Sequence, residues 1–324
     1  MLVFMKAIRK VLLRDLAESE GISVSQVSRA LRRQPGVAPE VRERLLRRAY
    51  EMNYRNCSSH HTNKIALLYD SINNFTSLLP ILEKEIKARK WNMVLISSDN
   101  YEILSELFID GIFFLGYNKL SRKLPDIIKN FPVVAINDYP DALEGISSIL
   151  PDADGESELV LEHLFSLGHR RIARIRQTSL DEPRRWANRG LSHFYETAER
   201  LGIRDTVINR RYQQDSLDSC IAELIAAGIT AIIDVTHEPA QLLHVLRKQG
   251  KRVPDEISVI TYEDFRQSCW EFPPLTTLAF DLDAIADQAV RLMARKLCRK
   301  DSESIVIPTK LIIRESTGRC PEES

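Results

Sequence analysis

The chain has 324 residues, 44% of them hydrophobic and 28% charged, and its formal net charge at pH 7 is zero. This composition is typical of soluble globular proteins, and the length allows two or three domains. No apolar run approaches the roughly 18 residues of a membrane-spanning helix, and the first residues lack the order of a secretory signal peptide. The 5 scattered cysteines, without CxxC spacing, indicate neither a zinc cluster nor a disulfide framework. We therefore expect a cytoplasmic protein without a metal or cofactor.

The zero net charge hides an asymmetry between the first 62 residues and the rest. Residues 1–62 contain twelve Lys or Arg and six Asp or Glu, a net charge of +6, which leaves −6 for the remaining residues. A basic amino-terminal segment on an acidic body suggests a polyanionic partner for that segment alone. The alternative is a set of charged helices that face solvent and bind no partner.

Three short helices are predicted in this basic segment. Apolar residues recur at helical spacing in three places, separated by Gly21 and by the sequence RRQPG: Leu13/Leu16/Ala17, Val24/Val27/Leu31 and Val41/Leu45/Ala49/Met52. Two short helices joined by a glycine turn, with a third packed across them, form the helix-turn-helix arrangement.

The second predicted helix has the surface of a DNA-reading helix. If Val27 and Leu31 point inward, helical geometry turns four residues toward solvent or a DNA major groove: Val24, Ser25, Ser28 and Arg29. Ser23 falls at the N-cap, where its hydroxyl and the free backbone amides can contact a phosphate. Arg29 is compatible with guanine recognition and with phosphate binding, and the sequence does not choose between them.

These first 54 residues resemble the DNA-binding head of the lactose/galactose repressor (LacI/GalR) family of transcription regulators, most specifically in the segment DLAESEGISVSQVSRAL. The resemblance implies eight DNA-binding residues: Ser23, Val24, Ser25, Gln26, Ser28, Arg29, Arg32 and Tyr54. The chain departs from the family in several places: Leu12 and Ala38 replace the usual capping threonine and serine, Gln26 replaces a threonine, and Arg32 replaces an asparagine. A missing cap is expected to cost about 0.5–2 kcal/mol.

Residues 55–63, RNCSSHHTN, form the predicted linker between the head and the body. The resemblance implies a longer segment here, with a short helix whose leucine wedges into the minor groove and bends the duplex. This linker has no leucine and is several residues shorter, so we expect no ordinary hinge helix. Cys57 in the wedge region, and His60 with His61 as phosphate contacts, are alternatives to a plain solvated linker.

From Lys64 onward, short apolar strands alternate with helical segments. KIALLY, NMVLIS, DGIFFLG and PVVAIN are the first predicted strands, and the pattern restarts after Asp154 with the strands RRIARIR, TAIIDV and EISVITY between the helices ESELVLEHLFSLG, GLSHFYETAERLG, SCIAELIAAG and PAQLLHVLRKQG. Continuous apolar strands between helices predict parallel sheets covered on both faces. Two such sheets make a two-lobed α/β body with its ligand site at the carboxyl ends of the strands.

The body resembles the same family, in HLFSLGHRRIARI, KRVPDEISVITYEDF, FPPLTTLAFDLDAIADQAVRLM and LIIRESTG, so the resemblance spans essentially the whole chain. It implies an all-α helix-turn-helix head and a periplasmic-binding-protein-like body of two doubly wound parallel sheets. The predicted domains are the head at 5–54, the linker at 55–63, an amino-terminal lobe at 64–153 and about 279–304, and a carboxyl-terminal lobe at 154–278 and about 305–319. The body ends at about Gly318, and the residues RCPEES that follow contain no leucine-heptad tail, so we expect a homodimer and no tetramer.

The resemblance also implies a small effector, usually a sugar or a purine, between the lobes. The polar residues that the family uses are altered here: Ala187 replaces an arginine, Thr236-His237 replaces Asn-Asp, and Glu263 replaces an aspartate. We expect the effector site among eight residues: Asp70, Asn73, Asp152, Asp154, Arg185, Tyr212, His237 and Glu263. Since the bidentate arginine and the short aspartate that grip vicinal hydroxyls are lost, the effector is either unusual or absent.

Several of these residues have a structural role as an alternative. Tyr212 either stacks on a ligand ring or packs within its lobe, and His237 either contacts ligand or caps the following helix. Asn73 is a turn former first. Trp186 is either a ligand wall or an exposed apolar residue.

The sequence thus predicts a homodimeric transcription regulator, most often a repressor in this family. It would bind a pseudo-palindromic double-stranded operator and respond to a small molecule of carbohydrate type. The alternatives are a two-lobed small-molecule-binding protein and a regulator that has lost its effector response. The chain contains no GxGxxG after a strand, no GxxxxGK[ST], no HExxH and no GxSxG, so we do not expect an enzyme.

Overall fold

The structure of the protein is a computed structural model, and it describes residues 11–31, 36–52, 63–70, 77–107, 109–115, 128, 131–137, 146–177, 190–213, 216–235, 238–264, 266–298 and 302–321. The chain divides into two units. The first comprises Met1–Ile72, Glu83–Ser148 and Ala289–Glu303, and the second comprises Asn73–Leu82, Ile149–Gln288 and Ser304–Ser324. Within the described ranges, no helix is both long enough and apolar enough to cross a bilayer.

The amino-terminal head consists of the three helices α1 (Leu13–Glu20), α2 (Val24–Leu31) and α3 (Pro39–Glu51). Their apolar stripes meet in one core: Leu16, Ala17, Val27, Ala30, Leu31, Leu45 and Ala49. Gly21 ends α1 in the left-handed conformation (φ 64°), and its amide donates to the carbonyls of Ala17 and Glu18. Glycine adopts this conformation without the steric penalty of a Cβ atom, so the predicted glycine turn follows from the sequence.

Side chains also fix the ends of α1. Leu12 provides no capping side chain, but the Asp15 carboxylate accepts a hydrogen bond from the Leu12 amide at 2.6 Å. This is the acidic half of a capping box, and it offsets part of the missing cap that the sequence indicates. At the other end, Glu20 accepts from Arg44 Nε at 2.8 Å, which ties α1 to α3.

The body contains twelve described strands. They are β1 (Lys64–Tyr69), β2 (Asn92–Ser97), β3 (Gly111–Leu115), β4 (Val133–Ile136), β5 (Ser147–Pro151), β6 (Ile172–Gln177), β7 (Val207–Tyr212), β8 (Ala231–Asp234), β9 (Ser258–Tyr262), β10 (Thr276–Phe280), β11 (Ser304–Ile307) and β12 (Thr309–Ile312). They form two sheets of six strands, in the orders β11-β5-β4-β3-β1-β2 and β12-β10-β9-β8-β6-β7.

Six further helices are described in the body: α4 (Leu78–Ala88), α5 (Ala153–Ser166), α6 (Leu191–Arg200), α7 (Leu217–Ala226), α8 (Pro239–Lys248) and α9 (Leu282–Cys298). Helices α5 and α6 pack into the hydrophobic core on one face of the second sheet, and helices α7 and α8 pack into the core on its other face. Strands β3, β4, β5, β8 and β9 are buried at every residue, as a parallel sheet covered on both faces requires.

Strand direction agrees with the doubly wound arrangement that the sequence predicts. In the first sheet β1 runs parallel to β2 and β3, and β3 runs parallel to β4. In the second sheet β7, β6, β8, β9 and β10 are parallel neighbours in turn, and β12 is antiparallel to β10. The predicted fold class is therefore confirmed. Strand β7 was not predicted, because its sequence VINRRY is half polar and lacks the continuous apolar run of the other strands.

A buried histidine joins the amino-terminal ends of three strands in the second sheet. His169 lies three residues before β6, is 0% exposed, and bonds through its two ring nitrogens to Thr230 Oγ1 and Ser258 Oγ, each at 2.9 Å. Thr230 directly precedes β8, and Ser258 begins β9. The ring therefore links three strands that are distant in the sequence.

Residues 316–320 run across this sheet and are held by side-chain hydrogen bonds. Ser316 Oγ donates to the Val259 carbonyl at 2.6 Å and accepts from the Thr276 amide at 2.8 Å, so it bridges β9 and β10. Thr317 Oγ1 bonds His163 Nε2 at 3.0 Å. We call residues 316–320 the carboxyl-terminal strap.

Candidate functional site

Helix α2 buries one face and exposes the other. Val27, Ala30 and Leu31 are 0%, 0% and 5% exposed, and they pack into the head core. The outer residues that the sequence analysis assigned to DNA are exposed, apart from the half-buried Ser28: Val24, Ser25, Gln26 and Arg29. Val24 is 44% exposed, so its methyl groups are accessible to an apolar surface such as a thymine methyl group.

Ser23 and Gln26 cap the start of α2 reciprocally. The Gln26 amide donates to Ser23 Oγ at 3.2 Å, and the Ser23 amide donates to Gln26 Oε1 at 3.1 Å. The Ser23 hydroxyl also donates to Gln26 Oε1, at 3.0 Å. This is a capping box with glutamine at the N3 position. Ser23 is thus the predicted N-cap residue, but its hydroxyl bonds Gln26 instead of being free for a phosphate.

Arg29 lies in the last turn of α2. The Arg29 guanidinium lies beside Gly36, close enough that a methyl group on that glycine would lie 3.7 Å from Nη1. Arg32, Tyr54 and residues 55–62 of the predicted linker, with Cys57, His60 and His61, lie outside the described residues.

A second polar site lies in the second unit, where β6 carries two buried arginines. Arg174 and Arg176 are each 6% exposed, and alternation along the strand places both on the same face of the sheet. Arg174 Nη1 donates to Asn209 Oδ1 on β7 at 3.3 Å, and Arg174 also hydrogen bonds the Tyr262 side chain. A buried charge persists only when it is paired or hydrogen bonded, so these contacts account for Arg174 in a central strand.

Two carboxyl groups approach this arginine-bearing face. Glu156 lies in the first turn of α5 and is 8% exposed. Glu263 directly follows β9 and has the left-handed backbone conformation (φ 62°). A non-glycine residue in that conformation costs on the order of 1–3 kcal/mol, and such residues cluster at functional sites.

The electrostatic environment of these groups is unusual. Burial, and then the Glu156 carboxylate, raise the pKa of Glu263 to about 8. Near neutral pH, therefore, much of the Glu263 carboxyl is protonated and can donate a hydrogen bond. Burial, followed by the Glu156 carboxylate, also raises the pKa of Tyr262 to about 12, against the opposing effect of Arg174 and Arg176. The Tyr262 hydroxyl therefore stays neutral.

Asp152 and Asp154 lie at the start of the same helix as Glu156. Asp152 is the N-cap of α5, with Oδ1 accepting from the Gly155 amide at 3.1 Å. Asp154 is exposed in the first turn. Of the predicted effector residues, the structure thus brings Asp152, Asp154 and Glu263 to the neighbourhood of Glu156.

Tyr212 lies away from this neighbourhood. It is 6% exposed and belongs to the core cluster that includes Leu217 and Cys220. Arg176 pairs with Arg211 in the β6–β7 register, so Tyr212 faces the opposite side of the sheet. This position corresponds to the packing alternative for Tyr212. The exposed Asp70 follows β1 in the first unit, and Asn73, Arg185, Trp186 and His237 lie outside the described residues.

Sequence reasoning missed Arg174, Arg176 and Glu156. The strand sequence IARIRQ reads as a partly apolar run, and a glutamate in a first helical turn is usually solvated. The one available signal was the pair of arginines at alternate positions in a strand between two helices, because such a strand is expected to be buried.

The fold and these sites define a class of protein in which a helix-turn-helix head precedes a body of two doubly wound sheets. The model for the periplasmic-binding-protein-like domain matches residues 161–317. The ribose operon repressor of Halalkalibacterium halodurans is 27% identical to this chain, over 94% of this chain and 96% of its own length. This relative is a repressor by name and matches the chain over nearly its whole length, which confirms the resemblance to the lactose/galactose repressor family seen in the sequence.

Solved structures show the same fold. A LacI-family regulator from Enterococcus faecium, solved with bound ribose, superposes with a TM-score of 0.68 at 21% identity, over 79% of this chain and 99% of its own. The lac repressor dimer bound to operator and the anti-inducer ONPF superposes with a TM-score of 0.66 at 19% identity, over 96% of this chain and 100% of its own.

Proposed function

We propose that this protein is a homodimeric, operator-binding transcription regulator whose DNA affinity is set by a small molecule of carbohydrate type. The observation that carries the proposal is the outer face of α2, which leaves Val24, Ser25 and Arg29 exposed above a buried Val27. The head, at residues 5–54, would bind DNA, and the two lobes of the body would bind the effector. The relatives support this assignment, since the ribose operon repressor acts on an operon by its name.

The head supports a specific mode of DNA recognition. In a helix-turn-helix protein the second helix enters the major groove, and its amino-terminal residues contact base edges. Ser25 is small enough for close approach, Val24 offers methyl groups to a thymine, and Arg29 offers its guanidinium to a guanine or a phosphate. A dimer presents two such helices, so the preferred DNA has two half-sites related by a twofold axis.

Exposed apolar residues support the dimer. Trp270 and Phe272 are 68% and 83% exposed in one short segment of the second unit. In the first unit, Leu95 on the edge strand β2 is 46% exposed. Large exposed apolar side chains of this kind mark interaction surfaces, and a second copy of the chain is the partner that the twofold operator requires.

The polar site of the second unit supports the effector. A protonated Glu263 supplies a hydrogen-bond donor, the carboxylate of Glu156 supplies an acceptor, and Tyr262 supplies a hydroxyl. Carbohydrate hydroxyls both donate and accept, so they match such a mixed set. An effector that binds one arrangement of the lobes better than another shifts the equilibrium between them, and thereby the DNA affinity.

The DNA-binding proposal is tested by selection from a random duplex library with the full-length protein. We expect enrichment of a sequence with two symmetric half-sites. Arg29→Ala should weaken binding to that duplex by about 1–3 kcal/mol, because one base or phosphate contact is lost in each half-site. Arg247→Ala, which removes an exposed arginine on α8, is the control and should bind normally. Weak binding that is independent of sequence and abolished by salt would contradict the proposal.

The effector proposal is tested by a thermal-shift screen of pentoses, hexoses, sugar acids, polyols and purines. A hit should raise the melting temperature of the parent and change its affinity for the selected duplex. Glu263→Ala should abolish both responses, whereas Glu199→Gln, on the exposed face of α6, should retain them. If the protein selects an operator but no compound changes its melting temperature or its DNA affinity, it is a regulator without an effector response.

A further inference from the structure

The reciprocal cap of α2 fixes the orientation of the Gln26 side-chain amide. Both the backbone amide and the hydroxyl of Ser23 donate to one atom of this group, at 3.1 and 3.0 Å. Only a carbonyl oxygen accepts such bonds, so this atom is Oε1 and the NH₂ group lies on the other side. The exposed Gln26 therefore presents Nε2, which has two N–H donors, away from the cap.

The position of Gln26 around the helix decides what this donor would meet on DNA. The buried residues Val27, Ala30 and Leu31 mark the inner side of α2. At 3.6 residues per turn, Ser25 and Arg29 then lie at the centre of the outer face, and Gln26 lies roughly a quarter turn to one side. A helix of about 10–12 Å diameter nearly fills a major groove of about 12 Å width. Its central residues meet base edges, and its flanking residues meet the phosphates of the groove walls.

We propose that Gln26 is a positioning residue that donates from Nε2 to a DNA phosphate while its Oε1 holds the cap of α2. The inference rests on the proposed DNA-binding function and adds a contact to it. Because a phosphate is the same at every base pair, this contact carries no sequence information. Its role is to hold α2 against the DNA backbone while Ser25 and Arg29 face the base edges.

The cap also excludes a different role for Gln26. A glutamine that reads adenine does so with both atoms of its amide, the oxygen accepting from N6 and the nitrogen donating to N7. In this protein the oxygen already accepts two bonds from Ser23. Gln26 is therefore restricted to donation, which suits a phosphate oxygen.

The substitution Gln26→Glu separates the two halves of this role. Glutamate keeps an oxygen for the Ser23 amide and hydroxyl, and it is a good N3 residue for a capping box. A carboxylate near the amino terminus of a helix is also favourable. At the same time, the substitution replaces the two N–H donors with an oxygen that repels phosphate. A purely structural Gln26 would tolerate this change.

The experiment compares the full-length parent and the Gln26→Glu variant on two duplexes, the one selected by the parent from the random library and a scrambled version of it. We expect the variant to bind each duplex tenfold or more weakly than the parent does, with an unchanged ratio between the two affinities. Its thermal unfolding and the hydrogen exchange of α2 should match the parent. Ser19→Glu, on the exposed surface of α1, adds the same charge to the head and should change binding much less.

The outcomes are distinct. Parent-like binding by Gln26→Glu would show that Gln26 serves only the cap, and a change in the preferred base at one operator position would show that it reads a base. Either result would overturn the inference and leave the proposed function standing. Faster hydrogen exchange in α2 would also overturn it, since the cap would then not survive the substitution. A parent chain that discriminates between no duplexes would overturn the proposed function itself.

Discussion

Among the described residues, Glu263 combines a left-handed backbone conformation with a strongly raised side-chain pKa. Its pKa of about 8 lies above the usual value of 4.5 because the carboxyl is buried beside Glu156. The folded protein thus holds this proton more tightly than the unfolded chain does between those two pH values. The resulting contribution to the free energy of unfolding is complete below pH 4.5 and is lost as the pH rises through 8.

Glu263→Gln should remove this dependence. Glutamine is neutral at every pH, so the melting temperature of the variant should fall less than that of the parent between pH 5 and pH 8. The difference is on the order of 5 °C, from the pKa shift and the usual entropy of unfolding of a chain this long. Differential scanning calorimetry at both pH values measures it, with Glu199→Gln as the exposed control. Parallel pH curves for parent and variant would contradict the burial of this carboxyl.

The contacts of single side chains were harder to predict from the sequence than the helices and strands. The spacing of Val24, Val27 and Leu31 was enough to predict the helix and its outer face, because helical geometry follows from local sequence alone. The capping bonds of Gln26 depend on side-chain torsions, which the spacing does not determine. Glu156 escaped notice because its burial depends on a sheet that is assembled from distant segments.

At the scale of elements, the second sheet depends on a histidine that must stay neutral. Burial lowers the pKa of His169 below 6.5, against the opposing effect of a bond to the Gly318 carbonyl and with smaller lowering contributions from His163 and Arg170. Burial also lowers the pKa of His163. Near pH 6.5 the unfolded chain therefore binds protons at these histidines that the folded chain does not bind. The stabilisation is complete above pH 6.5 and is lost as the pH falls below it.

His169→Gln should make the protein less sensitive to acid. The variant should be less stable at pH 7.5, by roughly 1–3 kcal/mol, because the partly buried Thr230 and the buried Ser258 lose part of their hydrogen bonding. Between pH 7.5 and pH 5.5, however, its melting temperature should fall less than that of the parent. The comparison is made within the Glu263→Gln background, which removes the opposing dependence of that carboxyl. Equal acid sensitivity of the two chains would show that His169 is not the group that titrates.

Elements were predicted best where their composition was uniform. The apolar runs KIALLY and EISVITY correspond to β1 and β9, since strands buried on both faces have continuous apolar sequences. The apolar run NMVLIS corresponds to β2, although this edge strand is mostly not buried. Strand β7 was not predicted. Its side chains are only partly buried at the edge of the sheet, and its sequence VINRRY carries two arginines. The two arginines of β6 were hidden by the apolar residues that alternate with them.

At the scale of the whole molecule, the proposed dimer gives the DNA-binding head its affinity. Light scattering of the full chain should give twice 37.1 kDa. The double substitution Trp270→Glu and Phe272→Glu should shift the protein toward the monomer and weaken binding to the selected duplex by a hundredfold or more, since two linked heads bind far more tightly than one. Val306→Glu, at a 55% exposed residue of β11, is the control. A double variant that remains dimeric would place the interface elsewhere.

The carboxyl-terminal strap has a consequence for how the protein is made. Ser316 bridges β9 and β10, so the second sheet cannot complete its hydrogen bonds until residue 316 has left the ribosome. The head needs only contacts among residues 13–52 and can fold on the nascent chain soon after its own synthesis. A half-made polypeptide can thus hold a finished α2, the proposed DNA-binding helix, before the proposed effector-binding body that would regulate it exists.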